Sequence, residues 1–229
     1  MYVPTTLTQP AAAPLAPIVI SASTTPPFVR PARTLLSAVS TEMNVLEGRT
    51  ASVTGKLTTA FGGGALDLRS VKSRPEGLSG QVVRLQALGS HGWRTLAHTR
   101  TGAHGRFRLR YVPRQTASEQ VRLRFAGNAS DLAAHRRLGR LNVYRLAEAS
   151  WYGGGGSLAC GGSLTSATMG VANKTLPCGT LVTLRYDGRT VRVPVVDRGP
   201  YAAGRDFDLT EATKQTLGFG GVGQVWSTS

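Results

Sequence analysis

The chain has 229 residues, of which 41% are hydrophobic, and a net charge of +15 at pH 7 from 27 Lys and Arg against 12 Asp and Glu. This hydrophobic content excludes a chain that is disordered throughout, and no apolar run approaches the roughly 20 residues of a transmembrane helix. From Ser150 onward there are only seven Lys and Arg and five Asp and Glu. The positive charge therefore belongs to residues 1–149, and it favours a polyanionic partner such as nucleic acid, an anionic wall polymer or a membrane surface.

Residues 1–41 are rich in Pro, Thr, Ala and Ser and have no sustained periodicity, which predicts a flexible extended segment. A leader that is removed is the alternative interpretation. The first residues contain no basic n-region, and prolines interrupt their apolar stretch at positions 4, 10, 14 and 17. They therefore do not read as a secretory signal peptide.

Residues 42–146 consist of short alternating stretches. GRFRLRYVP (105–113) and VRLRFAG (121–127) alternate apolar residues with arginines, and a period of two predicts half-buried strands. Further strands are predicted in GQVVRLQAL and WRTLAHTRT, and turns in FGGG, GSHG and TGAHG. Short strands without helical patterns predict a small antiparallel β-sandwich of immunoglobulin-like type.

The arginine faces of these strands have three interpretations: a solvated sheet face, a contact for anionic wall polymers, or a nucleic-acid surface. No aromatic platform for stacked bases is interleaved with the arginines, so no specific nucleic acid is expected. The four histidines of the chain are His91, His98, His104 and His135. Their spacing matches no metal-binding motif, so no metal or cofactor is predicted.

The two cysteines, Cys160 and Cys178, lie in the C-terminal part without a nearby histidine. Structural zinc requires four ligands, so the pair favours a disulfide over a metal site, with two buried free thiols as the alternative. A disulfide would indicate an oxidising, extracytoplasmic compartment.

The C-terminal part contains the strongest local signal. In TLVTLRYDGRTVRVPVVD (180–197) two alternating stretches flank Asp187-Gly188, which predicts a hairpin with a type I′ turn that ends at Asp197. DFDLTEATKQTLGF (206–219) predicts a short strand, then a helix after Thr210 that ends at Gly218, and VGQVWSTS predicts a closing strand. A small barrel with one or two short helices accommodates these elements.

Five blocks follow one another between residues 149 and 219: ASWYG, CGGSLT, GVANKTLPCGTLVTL, VPVVDRGPY and RDFDLTEAT with LGF. Together they resemble the double-psi β-barrel of the rare lipoprotein A (RlpA) family. The cysteine pair and the FDL block are also similar to expansin-like proteins. The resemblance implies a mainly β chain that ends in a six-stranded double-psi barrel at 147–229, located in the cell envelope with peptidoglycan strands as its partner.

The resemblance also implies lytic transglycosylase chemistry, in which the bond between MurNAc and GlcNAc is cleaved without water and the C6 hydroxyl closes a 1,6-anhydro ring. Asp197 in DRGP matches the family's catalytic aspartate, and Asp208 matches its second recurring aspartate. We take both as the catalytic candidates. The substrate-binding candidates are Tyr152, Asn173, Arg198 and Tyr201. The alternative is a structural role, with Asp197 fixing a turn and paired with Arg198 or Arg205.

Two departures from the family pattern support other functions. Gly161, Gly162 and Ser163 stand where active members carry a glutamate, and Asn173 stands where they carry a histidine. A non-catalytic, expansin-like module that binds or loosens wall polysaccharide is therefore the second hypothesis. A basic polyanion-binding protein is the third.

Overall fold

The computed structural model describes Met1, residues 31–59 and residues 75–229. Most of the predicted flexible segment and the predicted FGGG turn lie outside the described residues. The described part of the chain is mainly β, with one α-helix. No helix in it is long and apolar enough to cross a membrane.

The first eight strands contain the alternating stretches of the N-terminal region. They are β1 (Thr34–Glu42), β2 (Asn44–Leu46), β3 (Ala51–Thr59), β4 (Val82–Gly89), β5 (Gly92–Arg100), β6 (Arg106–Tyr111), β7 (Ala117–Phe125) and β8 (Ala134–Tyr152). The strands predicted at β4, β5, β6 and β7 are thus confirmed, and β6 and β7 show the clearest alternation of buried and more exposed residues.

Two sheets contribute to one hydrophobic core. One has the order β1-β3-β6, and in the other β5, β4, β7 and β8 are neighbours, with β2 parallel to β8. Buried side chains of both sheets form a single cluster that includes Leu36, Val53, Leu85, Leu109, Leu123 and Leu141. Burial of this apolar face, at about 25 cal/mol per Å², holds the sheets together.

Strand β1 corrects one predicted boundary. It begins at Thr34 and pairs along its length with β3, so residues 34–41 belong to a sheet and not to the flexible segment predicted for 1–41. The side chain of Leu36 is 2% exposed in the core. The hydrophobic contact made by this residue explains why the Thr- and Ser-rich stretch is ordered.

Strand β8 is shared by both halves of the described structure. Residues 134–143 pair with β7, whereas residues 145–152 pair with later strands of the chain. The boundary expected at residue 146 falls inside this 19-residue strand. No flexible linker therefore separates the two halves at this point.

The remaining elements follow β8. They are β9 (Val171–Ala172), β10 (Leu181–Tyr186), β11 (Arg189–Asp197), β12 (Phe207–Thr210), α1 (Glu211–Leu217) and β13 (Gly223–Ser227). The end of β8 and these five strands pair in a ring with the order β12-β9-β11-β10-β13-β8, and β8 pairs again with β12. A second cluster of buried residues lies inside this ring, including Val182, Leu184, Val193, Phe207, Leu209 and Leu217.

The predicted hairpin and helix are confirmed. Strands β10 and β11 are antiparallel, and Asp187 and Gly188 have φ values of 43° and 78°, as a type I′ turn requires. Helix α1 follows Thr210 and ends at Gly218, whose φ of 69° is left-handed. Glycine adopts this conformation without a steric penalty.

Candidate functional site

Four positions lie side by side across neighbouring strands of the ring. Asp197 on β11 is paired with Ala172 on β9, and Asp208 on β12 is paired with the same alanine from its other side. Ser150 on β8 is paired with Asp208. The register is irregular between Val195 and Asp197, but the charges of Asp197 and Asp208 both act on the phenol of Tyr152, so the two carboxyl groups lie near one side chain. We call these four positions the carboxylate row.

The spacing of the row follows from sheet geometry. Adjacent strands lie about 4.8 Å apart, so the α carbons of Asp197 and Asp208 are separated by two spacings, or roughly 10 Å. Ala172, a small residue, is the position between them in the strand pairing. The row therefore presents two carboxyl groups on either side of a small residue.

Main-chain donors orient Asp197. Its Oδ1 accepts hydrogen bonds from the N–H groups of Ala159, at 2.9 Å, and Arg198, at 2.8 Å. Its main-chain carbonyl accepts a third from the N–H of Asn173, at 3.1 Å. The ion pairs found in the described residues are Arg94 with Glu119 and Arg145 with Asp206, so neither Arg198 nor Arg205 forms the pair with Asp197 that the structural alternative required.

A neighbouring hydroxyl orients Asp208. The Oγ of Ser150 donates a hydrogen bond to Oδ1 of Asp208, as their register positions dictate. The side chain of Asp208 is half-buried. Ser150 was not predicted as a site residue, although its position two residues before Tyr152 places both side chains on one face of β8.

Tyr152 extends this arrangement. Its hydroxyl oxygen is buried and has no partner at full hydrogen-bond geometry in the described residues. Burial raises the pKa of Tyr152, and the charge of Asp197, a hydrogen-bonding contact with Asp197 and the charge of Asp208 raise it further. The phenol therefore stays protonated and lies close enough to both carboxyl groups to respond to their charge.

Glycine at position 170 brings β9 against its neighbours. A Cβ at this position would lie 2.4 Å from a methyl group of Val196, so any larger residue would displace the strand. The hydroxyls of Thr210 and Thr213 donate to the carbonyl of Gly170 at 3.1 and 2.9 Å. These contacts fix β9, and with it Ala172, against the start of helix α1.

The structure gives Asn173 backbone contacts. Its Oδ1 accepts from the N–H groups of Thr175 and Leu176, at 3.0 and 2.8 Å, and its Nδ2 donates to the carbonyl of Asp206 at 3.0 Å. The residue is 8% exposed. Its amide thus fixes a turn, and contact with a substrate would require one of these bonds to be released.

Arg198 also has backbone partners. One guanidinium nitrogen donates to the carbonyls of Asn173 and Leu176 at 3.1 and 2.9 Å, and the other contacts the sulfur of Cys178 at 3.2 Å. Cys178 forms the predicted disulfide with Cys160. Tyr201, in contrast, is 84% exposed in the loop after Pro200, so its ring is accessible to a ligand.

The loop that carries Gly161, Gly162 and Ser163 contributes backbone rather than acidic groups. These three residues are exposed, and the nearby Ala159 supplies the N–H that bonds Asp197. Within the described residues, no group of three or more His, Cys, Asp and Glu side chains is placed to hold a metal ion. The site's chemistry therefore rests on two carboxyl groups, a serine hydroxyl and a phenol.

Comparison with known proteins agrees with this geometry. Residues 146–226 match the family model described as lytic transglycolase. The C-terminal region is an RlpA-like double-psi β-barrel. This RlpA-like barrel contains the complete carboxylate row.

Curated relatives carry the same family name. The chain is 44% identical over 75 residues to the probable endolytic peptidoglycan transglycosylase RlpA of Aquifex aeolicus, covering 31% of this chain and 33% of the relative. It is 31% identical over 128 residues to the endolytic peptidoglycan transglycosylase RlpA of Neisseria meningitidis serogroup B, covering 52% and 54%. The chain thus spans between a third and about half of the length of these relatives.

Among solved structures, the Streptomyces papain inhibitor (SPI) is similar in sequence at 28% identity, with 37% of this chain and 91% of that chain covered and a TM-score of 0.31.

Proposed function

We propose that this protein is a cell-envelope lytic transglycosylase of RlpA type that cleaves the bond between MurNAc and GlcNAc in peptidoglycan. The observation that carries the proposal is the carboxylate row, in which Asp197 and Asp208 flank Ala172 within an RlpA-like barrel. The reaction requires two groups of this kind: one to move a proton and one to stabilise positive charge on the sugar.

Asp197 is assigned the proton transfers. Both backbone N–H groups bond its Oδ1, so a proton on Oδ2 leaves these contacts intact. The acid delivers that proton to the glycosidic oxygen as its bond to C1 of MurNAc breaks. The resulting carboxylate then accepts the proton of the C6 hydroxyl as O6 bonds to C1, which closes the anhydro ring and restores the acid.

Asp208 is assigned the electrostatic role. Its carboxylate, held by the hydroxyl of Ser150, lies across Ala172 from Asp197 and stabilises an oxocarbenium-like transition state. Tyr152 and Tyr201 are assigned to substrate binding: the buried phenol of Tyr152 supplies an uncommitted donor, and the exposed ring of Tyr201 supplies an apolar face. Asn173 and Arg198 support the site by holding the segment between β9 and β10.

The test is incubation of the protein with purified sacculi and chromatography of the soluble products. Anhydromuropeptides are expected from the wild-type protein, and Asp197→Asn is expected to reduce their release by about 100-fold or more. Asp187→Asn is the matched control, because it makes the same chemical change in the exposed hairpin turn, where asparagine tolerates positive φ. Undiminished release by Asp197→Asn would sink the assignment of Asp197.

A second function is favoured by a specific observation. The amide of Asn173 is committed to backbone contacts, and the Gly161–Ser163 loop brings no carboxylate to Asp197. We therefore propose, as the alternative, a non-catalytic expansin-like module that binds wall polysaccharide. It predicts that the protein pellets with sacculi without releasing soluble products, which separates it from the transglycosylase.

For the described part of the chain we propose an Ig-like sandwich up to residue 146 and a six-stranded double-psi barrel at 147–229. The disulfide between Cys160 and Cys178 supports an extracytoplasmic location, since such bonds persist in oxidising compartments. The positive charge of the N-terminal part supports a contact of the sandwich with anionic wall polymers. We expect no specific nucleic-acid partner.

A further inference from the structure

The outer face of the sheet β5-β4-β7-β8 carries rows of opposed basic residues. Arg84 on β4 is paired with Arg124 on β7, and this row continues to His98 on β5 and His135 on β8. The sequence predicted arginine faces strand by strand. The register shows that the arginines of different strands stand directly opposite one another.

A second row runs beside the first. Arg122 on β7 is paired with Gln86 on β4 and with Arg137 on β8. Its Nε donates to Oε1 of Gln86 at 3.0 Å, and its guanidinium lies 4.0 Å from the centre of the Trp93 ring. We call Arg84, Arg122, Arg124, Arg137, His98 and His135 the basic sheet face.

The positive charge of this face is not neutralised within the described residues. Neither of the two ion pairs found there includes a residue of the basic sheet face. Burial lowers the pKa of Arg122, and the charges of Arg124 and Arg137 lower it further. Like charges placed directly opposite destabilise a sheet, so the arrangement has a cost that folding alone does not explain.

The opposite sheet provides a contrast. Arg106, Arg108 and Arg110 are also exposed, but they lie on the edge strand β6. Two of them are paired with small hydroxyl residues, since Arg108 lies opposite Thr54 and Arg110 opposite Ser52. The third, Arg106, lies opposite Lys56, so this sheet has one like-charge pair, whereas hydroxyl residues stand opposite its other two arginines.

Positive charge also extends from the basic sheet face toward the barrel. Arg140 on β8 donates to the hydroxyl and carbonyl of Ser118 at 2.9 and 2.5 Å. Burial lowers the pKa of Arg140, as does the nearby charge of Arg192 on β11. The side chains of Ser118 and Thr183 approach to 3.5 Å, so the two regions touch beside these arginines.

We propose that the basic sheet face binds a linear phosphate-bearing polymer of the cell envelope. Guanidinium groups match phosphate oxygens through paired N–H donors, and rows about 5 Å apart on adjacent strands offer repeated contacts along a chain. A single-stranded nucleic acid fits less well, because the ring of Trp93 is already covered by Arg122 and does not offer a base-stacking surface. The envelope as the source of the polymer rests on the proposed function, whereas the phosphate-binding surface does not.

The test measures binding of the full chain to fluorescently labelled inorganic polyphosphate over a range of salt concentrations. Arg84→Ser with Arg124→Ser is expected to lower the affinity by about tenfold or more and to flatten its salt dependence, because fewer counterions are exchanged. Arg108→Ser with Arg110→Ser is the matched control: it removes the same charge from exposed positions opposite hydroxyl residues on the other sheet and is expected to lower affinity by less than about threefold. Circular dichroism verifies that both variants are folded.

Equal losses of affinity in the two variants would show that binding responds only to net charge and would overturn the assignment of the basic sheet face. Wild-type affinity in Arg84→Ser with Arg124→Ser would overturn it as well. Stronger binding of polyglutamate than of polyphosphate would overturn phosphate as the ligand chemistry. Stronger binding of single-stranded DNA than of polyphosphate would overturn the proposed ligand and show that the basic sheet face binds nucleic acid.

The source of the polymer is tested by comparing binding to untreated sacculi with binding to sacculi from which hydrofluoric acid has removed the phosphate-linked polymers. We expect the treatment to reduce binding of the wild-type protein and to leave the binding of Arg84→Ser with Arg124→Ser unchanged. Equal retention of both proteins on treated and untreated sacculi would contradict an envelope polymer. The Asp197→Asn variant is expected to bind polyphosphate like the wild type, so failure of this inference and failure of the transglycosylase proposal have separate readouts.

Discussion

The two-sheet N-terminal region, proposed above as a sandwich, and the RlpA-like barrel hold their charged groups in different ways. In the two-sheet region, the arginines of the basic sheet face are opposed across strands without ionic partners in the described residues. In the barrel, the two aspartates of the carboxylate row are half-buried, and each is oriented by hydrogen bonds. A surface that attracts a polymer needs only density of charge, whereas a site that performs chemistry needs each group fixed in direction.

The largest expected effect distinguishes the two hydrophobic cores. Phe207→Ala removes a fully buried ring of the barrel and is expected to destabilise that region by about 3–5 kcal/mol. Because the sandwich has its own core cluster, its amides should keep their protection in hydrogen exchange followed by mass spectrometry. Leu123→Ala, in the sandwich core, is the reciprocal control. Equal loss of protection in both regions would show one cooperative unit and remove the distinction.

Removing the disulfide tests a constraint found only in the barrel. Cys160→Ser with Cys178→Ser opens a loop with a sequence separation of 18 and is expected to lower the free energy of unfolding by about 3 kcal/mol. Thermal unfolding of the barrel should then begin at a lower temperature, and polyphosphate binding by the sandwich should be unchanged. Reduction of the wild-type protein is the matched treatment, and an unshifted melting temperature in both would contradict the prediction.

Ser150→Ala tests whether orientation distinguishes the carboxylate row from the basic sheet face. Loss of the hydroxyl that bonds Asp208 is expected to reduce anhydromuropeptide release by about tenfold, which corresponds to roughly 1.4 kcal/mol of transition-state stabilisation. Ser157→Ala, in an exposed loop, is the control. An effect on the KM for sacculi alone, with kcat unchanged, would indicate that Ser150 contributes to binding and not to catalysis.

The smallest expected effect concerns the unpartnered phenol. Tyr152→Phe removes a buried hydroxyl whose contact with Asp197 falls short of full hydrogen-bond geometry, so stability at neutral pH is expected to rise by up to about 1 kcal/mol while activity falls. Chemical denaturation and sacculus digestion measure the two effects. Loss of stability would instead indicate a structural hydrogen bond.

The same variant has a predicted pH dependence. The pKa of Tyr152 is raised in the folded protein, so the unfolded chain loses this proton first, at about pH 10. Wild-type stability should therefore fall as the pH rises above about 10, and Tyr152→Phe should lose less. Tyr144, whose pKa is also raised by burial, is present in both proteins and cancels from the difference.

The elements that could be predicted from sequence are those whose signal is local. Alternation of apolar and basic residues predicted β6 and β7, and Asp187-Gly188 predicted the β10–β11 turn. Strand β1 was missed because its Thr- and Ser-rich composition matches the segment before it, and the two-residue strand β9 is too short to show a period.

The candidate site shows the same limit. Family resemblance selected Asp197 and Asp208, but their common neighbour Ala172 and the contact from Ser150 depend on pairings between strands distant in the chain. Asn173 was predicted to bind substrate from its residue type and block position. The contacts of its Oδ1 with Thr175 and Leu176 are local, whereas the bond from its Nδ2 to Asp206, 33 residues away, is one that no local pattern reports.

The continuous strand β8 has a mechanical consequence. From Arg137 in the basic sheet face to Tyr152 beside the carboxylate row, the strand provides on the order of 50 Å of extended backbone. Because both ends are hydrogen-bonded into sheets, the strand holds the basic sheet face and the carboxylate row at a fixed spacing. Under the two proposals made above, a polymer bound at the basic sheet face would lie at a set distance from the carboxylate row, so cleavage would occur at a preferred spacing from the bound segment.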